Sequence, residues 1–272
     1  MMNEMEPNKK AVLTGMRTTG ELHLGHYVGA LSQWKEIQDS GEYECFFLLA
    51  DVQALTTHAD NPELLKSSVR DVVVDWLSVG LDPSLPHVNF VLQSQIAERY
   101  ELSMLLGMLA RYNEVMRNPT LKTELNRQNN ASMGFMFYPV DQVADIQMVD
   151  PMIDGAEILV PVGEDQVPHL EYARELARRF NNQYGTMLTP CSPLVGEVGR
   201  LIGIDGNDKM SKSLGNTINL NDSDSLIRRA VNRMPIDPAR SVKGGHKIAG
   251  DPSKAVAFIY SFRKTNIGIN IV

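Results

Sequence analysis

The chain has 272 residues, of which 43% are hydrophobic, and a formal net charge of -7 at pH 7. That is enough apolar material for one large domain with a smaller appendage, and the acidic balance argues against a protein coated in nucleic acid. No apolar run approaches the ~20 residues needed to span a bilayer, the segment Met1 to Lys10 lacks the apolar stretch of a secretory signal, and two cysteines, Cys45 and Cys191, argue against a disulfide framework or a four-ligand zinc site.

Strand-like and helix-like segments alternate, which predicts a parallel sheet wound with helices. Lys10–Met16 reads as the first strand, and His26–Asp39 as a helix stopped by Gly41. The continuous apolar run Cys45–Ala50 fits a strand covered on both faces. Asn61-Pro62-Glu63 carries a capping residue, a proline and an acid in helix-starting order. That helix should run to about Val79 and end at Gly80. Val88–Leu92 reads as a third strand, and Ala97–Met116 as one long helix, its Met and Leu content suiting either core packing or an interface. The polar stretch 117–133 reads as a mobile insertion. Glu157–Val162 reads as a fourth strand leading into a helix from about Asp165 to Asn182.

After Pro190 the chain turns to Gly, Asn and Asp loops, followed by helices over Asp222–Arg233 and from Asp251 to Lys264. The reading divides the chain into a sheet domain over 1–190 and a smaller helical part over 191–272. Residues 200–272 carry 12 Lys and Arg against 6 Asp, whereas 1–199 carry 14 against 27 acids. The basic end could receive a phosphate backbone locally, and Arg228, Arg229 and Arg233 could equally be the solvated face of a helix.

Two motifs carry the chemistry. His23-Leu24-Gly25-His26 follows the first strand and the turn Thr18-Thr19-Gly20. A helix opening there offers backbone N–H groups and its dipole to an anion. Two histidines three apart share one side of that turn and can donate hydrogen bonds to phosphate oxygens, while Gly25 lets a nucleotide lie close. A metal site would need a third ligand, and none is suggested nearby. Lys209-Met210-Ser211-Lys212-Ser213 puts two full positive charges on a loop flanked by Gly206 and Gly215. Such a loop could close over a triphosphate and stabilise a leaving pyrophosphate.

The two motifs, in this order, resemble the defining pair of class I aminoacyl-tRNA synthetases. The run Val160-Pro161-Val162-Gly163-Glu164-Asp165-Gln166, followed by His169-Leu170-Glu171, narrows the resemblance to the tryptophanyl-tRNA synthetases of bacterial type. Further matches at Leu22–Leu31, Val79–Pro83, Tyr138-Pro139 and Ala144-Asp145-Ile146 extend it over about residues 10–262. The resemblance implies an α/β Rossmann-type doubly wound parallel sheet with a helical C-terminal domain, a cytoplasmic homodimeric ligase, and tryptophan, ATP with Mg²⁺ and tRNA(Trp) as what it acts on, with no tightly bound cofactor. It assigns catalysis to His23, His26, Lys209, Ser211 and Lys212, and ATP contacts to Arg17, Gly25, His26, Gly163, Asp165, Lys209, Met210 and Lys212. Asp145 would accept the indole N–H, because a carboxylate in an apolar pocket accepts and does not donate. Tyr138 and Gln166 would hold the amino group, and Val143, Val160 and Val162 would line the indole pocket. His169 reads as a plain helix-face residue.

The chain departs from the family pattern in places. Gln53 stands where family members place a pocket histidine, Arg17 where many place glutamine, and the segment Gln147–Glu157 is longer than usual. Family members also continue past Ala257–Tyr260 with helices that read the anticodon, whereas this sequence stops at Val272 after Asn266–Ile271. Adenylate formation is therefore expected to be better supported than tRNA charging. Two alternatives remain from the sequence: a nucleotidyltransferase of the same superfamily that never meets tRNA, and a shortened paralogue that only binds tryptophan.

Overall fold

The computed structural model describes residues 10–126, 131–150, 156–163, 166–195, 201–206 and 209–236, with short pieces between 242 and 260. The expected helix over Asp251–Lys264 lies mostly outside them, as do residues 266–271 and the Asp154-Gly155 part of the longer segment. Contacts divide the chain into two compact units: Met1–Gly20 with Glu36–Glu197, and Glu21–Lys35 with Val198–Val272. Each is described separately.

The first unit is built on five parallel strands: β1 (Lys10–Arg17), β2 (Tyr43–Ala50), β3 (Val88–Leu92), β4 (Ile158–Val162) and β5 (Ser192–Val195), in the order β3-β2-β1-β4-β5. This is the doubly wound arrangement expected from the sequence. β5 is an addition, formed in the stretch read as loops. The strand order reverses between β1 and β4. In open α/β sheets, the crevice outside the strand ends at such a reversal is where ligands bind.

Chain order gives the helical elements. A helical run begins with α1 (Leu24–His26), continues through a π-helical stretch Tyr27–Leu31 and ends as α2 (Ser32–Ser40). α3 (Asp51–His58), not expected from the sequence, follows β2 directly. α4 (Pro62–Ser78) starts as expected, with the Asn61 side chain accepting from Leu64 N, and the chain leaves it through Gly80 at φ 92°. α5 (Ala97–Leu109) is shorter than the expected Ala97–Met116 helix: Ala110 and Arg111 are extended, and a separate turn α6 (Tyr112–Val115) follows. The cause is remote. Arg179 donates to the Leu109 carbonyl at 2.9 Å and pairs with Glu114 at 3.0 Å, which pins the break from another helix.

The stretch read as an insertion contains α7 (Pro119–Leu125), started by Asn118, whose side chain accepts from Thr120 N and Leu121 N. Residues 127–130 lie outside the described ones. α8 (Met133–Gln147) is capped by Ser132 and contains Pro139, and α9 (Val167–Tyr184) follows β4.

In β2 the run Cys45–Ala50 is uniformly apolar for a visible reason. Phe46 joins the core cluster with Leu106, Phe135, Val140, Ile158 and Leu170, while its neighbour Phe47 meets Trp76 edge-on at 6.3 Å. Successive side chains point to opposite faces, so burial of both faces leaves the run Cys45–Ala50 apolar, and the one charged residue of the strand, Glu44, sits at its less buried start. Gly15 of β1 is fixed by the same closeness: a Cβ there would sit 2.5 Å from the Leu48 carbonyl oxygen.

In the second unit, α10 (Asp224–Arg233) packs Ile227 and Ala230 on a small apolar cluster with Ile218, Met234, Val256 and Leu24. A short antiparallel pair, β6 (Val242–Lys243) and β7 (His246–Lys247), completes the described elements. No helix among the described residues is long and apolar enough to cross a membrane.

Candidate functional site

The two motifs meet in the second unit. Leu24 N donates to the Ile218 carbonyl and Leu220 N to the Leu22 carbonyl, both at 2.9 Å, with a bridge between His23 and Asn219. These bonds join the start of α1 to the extended segment leaving the lysine loop, which explains why Glu21–Lys35 belongs to this unit.

His23 caps α1. Its Nδ1 accepts from Gly25 N, and the Nδ1 of His26 accepts from His23 N, each at 3.1 Å. The rings lie 3.9 Å apart. Because both Nδ1 atoms accept from backbone N–H groups, each neutral ring must carry its proton on Nε2, as a donor for a ligand. Burial lowers the His23 pKa to about 4, with Lys212 and Lys209 adding to it. Burial, then His23 and the two lysines, lowers His26 to about 3. The histidines are therefore neutral donors at neutral pH, and the positive charge comes from Lys209 and Lys212.

One side chain holds the lysine loop in shape. Asn216, 2% exposed, accepts from Ser211 N at 2.8 Å and donates to the Lys209 carbonyl at 3.2 Å and to Asp205 at 3.0 Å. Gly203 must be glycine beside it, since a Cβ there would fall 2.0 Å from the Asn216 amide nitrogen. Met210 is buried, with its N–H on the Leu201 carbonyl, and stands against Gly25. Ser211 Oγ lies 2.9 Å from Ser213 Oγ.

The first unit holds the remaining expected residues around two cavities. One, of about 220 Å³, lies at the β1/β4 reversal, lined by Thr14, Gly15, Val160, Val162, Asp145 and Gln166 among others. The other, of about 160 Å³, is lined by Arg17, Gln53, Tyr138, Gln166, Glu124 and His169 among others. Arg17, Gln53, Tyr138, Asp145, Gln166, Val160 and Val162 are thus gathered. Val143 is fully buried in the core, and Gln142 and Ile146 form the cavity wall on its helix. Gly163 follows β4, its carbonyl accepting from Gln166 N. Asp165 lies outside the described residues.

Asp145 lines a cavity whose wall is largely apolar, and its charge is met from the protein side. Its carboxylate, 3% exposed, accepts from Arg99 Nε at 2.6 Å and from Gln93 Nε2 at 2.9 Å on both oxygens. Burial pushes its pKa up to about 6, and Arg99 opposes the rise. Tyr138 is buried too, its hydroxyl pushed well above the usual range by burial and by Glu124 of α7.

His169, read from the sequence as a plain helix-face residue, is 5% exposed and lines both cavities. Asn118 spends its carbonyl oxygen on Thr120 N and Leu121 N, so its amide nitrogen faces His169 Nδ1 at 3.2 Å. The ring proton then belongs on Nε2, which has no partner among the described residues.

The family model for tRNA synthetases class I (W and Y) matches residues 5–260. The chain belongs to that family. It is 46% identical to the tryptophan–tRNA ligase of Thermotoga maritima over 84% of this chain and 68% of that protein, and 44% identical to that of Clostridium longisporum over 85% and 67%. Among solved structures it is similar to tryptophanyl-tRNA synthetase from Campylobacter jejuni complexed with ADP and tryptophan, at TM-score 0.80 and 30% identity, covering 96% of this chain and 76% of that one. Similarity to the tyrosyl-tRNA synthetase from Archaeoglobus fulgidus complexed with L-tyrosine is lower, at TM-score 0.63 and 26% identity, over 89% and 70%. For a synthetase of this family the sequence reading passed over Gln93, Arg99, Asn216 and His169. Asn216 had a local signal in its place just after the lysine motif, and His169 in the run that follows Gln166, whereas Gln93 and Arg99 had none.

Three depressed histidines set an acid limit. His169 is lowered to about 4 by burial, alongside His23 and His26. Unfolded, each has a pKa of about 6.5, so between there and about 4 the unfolded chain binds more protons and stability falls as pH falls. Asp145, raised to about 6, acts in the opposite sense, but as one group against three. The melting temperature should therefore drop from pH 7 to pH 4.5, with a shallower slope in His169→Gln. A melting temperature that is flat or rises on acidification contradicts this.

Proposed function

We infer that the chain activates tryptophan with ATP and transfers it to tRNA(Trp). Asp145 supports the reading: it is a buried carboxylate lining the cavity at the sheet reversal, and as an acceptor it suits a side chain that donates an N–H. A phenyl side chain would leave it unmatched, at a cost of about 1–3 kcal/mol for a buried polar group.

The tryptophan carboxylate attacks the α-phosphorus of ATP in line, the bond from that phosphorus to the bridging oxygen breaks, and pyrophosphate leaves. The 3′-terminal hydroxyl of the tRNA then attacks the acyl carbon of the adenylate, and AMP departs. In this account Tyr138 and Gln166 hold the amino group, with Gln53, Val160 and Val162 around the side chain. Arg17, Gly163 and Asp165 serve ATP. The Nε2–H groups of His23 and His26 donate to phosphate oxygens as charge develops. Lys209, Lys212 and the Ser211 hydroxyl stabilise the departing pyrophosphate, and Gly25 leaves room for the nucleotide. Such catalysis is positioning and electrostatic stabilisation without a covalent enzyme intermediate. Mg²⁺ arrives with ATP, held mainly by phosphates and water. Exposed Arg228, Arg229 and Arg233 on α10 offer a positive face to tRNA. The cytoplasm, where tRNA is charged, is the proposed place of action.

Amino-acid-dependent exchange of pyrophosphate into ATP tests the reading across all amino acids. Tryptophan should support exchange far above the rest, and Lys212→Ala should lower kcat by about 10²- to 10³-fold with tryptophan affinity unchanged. Exchange with tyrosine and none with tryptophan rejects the assignment.

The homodimer expected of the family finds support in exposed large apolar side chains on α5, α6 and α8 of the first unit. Met104 is 60%, Met108 71%, Tyr112 72% and Met133 82% exposed, apolar surface of the kind a partner chain covers. Sedimentation should give twice the chain mass, falling to one in Met108→Glu. A monomeric wild-type chain ends this reading.

A further inference from the structure

The question left by Asp145 is why a carboxylate so deeply buried should stay ionised. Three elements answer it. Gln93, fully buried in the 3₁₀ turn Gln93–Gln95 after β3, accepts from Val52 N and Gln53 N through Oε1, each at 3.0 Å. Those two bonds orient its amide, so Nε2 must face Asp145. Arg99 of α5, 1% exposed, donates from Nε to Asp145 Oδ1 at 2.6 Å and from Nη2 to Asp141 Oδ2, while Ser103 donates to Asp141 Oδ1 at 2.6 Å. Arg99 also lies 5.0 Å above the Tyr100 ring.

Counting lone pairs identifies the open position. A carboxylate has about four acceptor sites, two on each oxygen. Oδ1 takes both Arg99 and Gln93, whereas Oδ2 takes Gln93 alone. One acceptor site therefore remains, on Oδ2, in a residue that lines the cavity.

We propose that Arg99 is a positioning residue for substrate selection: it keeps Asp145 an anion that can only accept, with Oδ2 open to a donor on the substrate side chain. The inference rests on the reading that Asp145 takes the indole N–H. Without the guanidinium, burial and the neighbouring Asp141 charge favour the protonated carboxyl. Its O–H, when on Oδ2, would then face the indole N–H as a second donor, and its remaining carbonyl oxygen is a weaker acceptor than the carboxylate. Among the described residues, the charged or titratable groups brought toward Asp145 are Arg99 from α5, Asp141 from its own helix and His169 from α9. α3 presents the uncharged Gln53, and its Asp51 accepts from Ser94 N.

The test compares tryptophan with β-(3-benzothienyl)alanine, in which sulfur replaces the N–H, by pyrophosphate exchange from pH 6.5 to 9. The wild-type chain should prefer tryptophan by roughly 10- to 100-fold in kcat/KM. Arg99→Gln should lose most of that preference at pH 7, through KM for tryptophan with kcat little changed, and regain it toward pH 9 as Asp145 ionises. Arg99→Lys should retain it. Should Arg99→Gln fail to fold, Arg99→Gln with Asp141→Asn removes the second buried anion, and the same pH-dependent loss is expected. Full preference at pH 7 in these variants overturns the proposal, as does a loss that is equal at every pH. A wild-type chain without preference for tryptophan would instead reject the reading of Asp145 itself.

Discussion

A parallel sheet buried on both faces constrains everything else in the first unit. Phe46 and Phe47 are consecutive, both buried, and belong to opposite faces of β2. With few polar positions along the strands, the site residues gather toward the reversal between β1 and β4. The larger cavity lies there, bounded by Thr14 and Gly15 of β1 and Val160 and Val162 of β4. A charge placed at such a depth needs compensation from within the protein, because water is excluded. The Arg99, Gln93 and Asp141 network supplies that compensation to Asp145. One interaction, Arg99 with Asp145, therefore links stability to selectivity: the pairing that makes burial tolerable also fixes which hydrogen-bonding role the carboxylate can play.

The second unit solves a different problem. A triphosphate needs positive charge that is available without competing protons, and donors whose direction is fixed. The backbone supplies the direction, since His23 N and Gly25 N occupy both Nδ1 atoms and leave Nε2–H outward. The lysines supply the charge and, by their field, help keep the imidazoles neutral. Asn216 gives the loop a definite shape through two contacts to its backbone. Histidine and lysine thus hold separate roles even though both motifs serve the same anion in the proposed reaction.

What was legible in the sequence was local. The apolar run at Cys45–Ala50 and the capping order Asn61-Pro62-Glu63 predict β2 and α4 because the causes lie within a few residues. The same order recurs at Asn118-Pro119, yet the surrounding polarity hid α7 behind an expected insertion. Gly107 is the one local hint of the break after Leu109, and the contact that pins it comes from Arg179, 70 residues away. The site divides in the same way. His23, His26, Lys209 and Lys212 form recognisable motifs, but Gln93 and Arg99 reach Asp145 across 52 and 46 residues, and no local pattern announces them. His169 looked like one polar residue on a helix face, and only the fold places its ring beside Asn118 in a cavity wall.

The most direct measurement is a crystal structure of the chain with tryptophan bound. The account predicts the indole nitrogen within about 2.7–3.2 Å of Asp145 Oδ2, the Arg99 and Gln93 contacts to that carboxylate retained, and the ammonium beside Tyr138 and Gln166. An indole ring bound away from Asp145, or one seated by displacing Arg99 from the carboxylate, would contradict it.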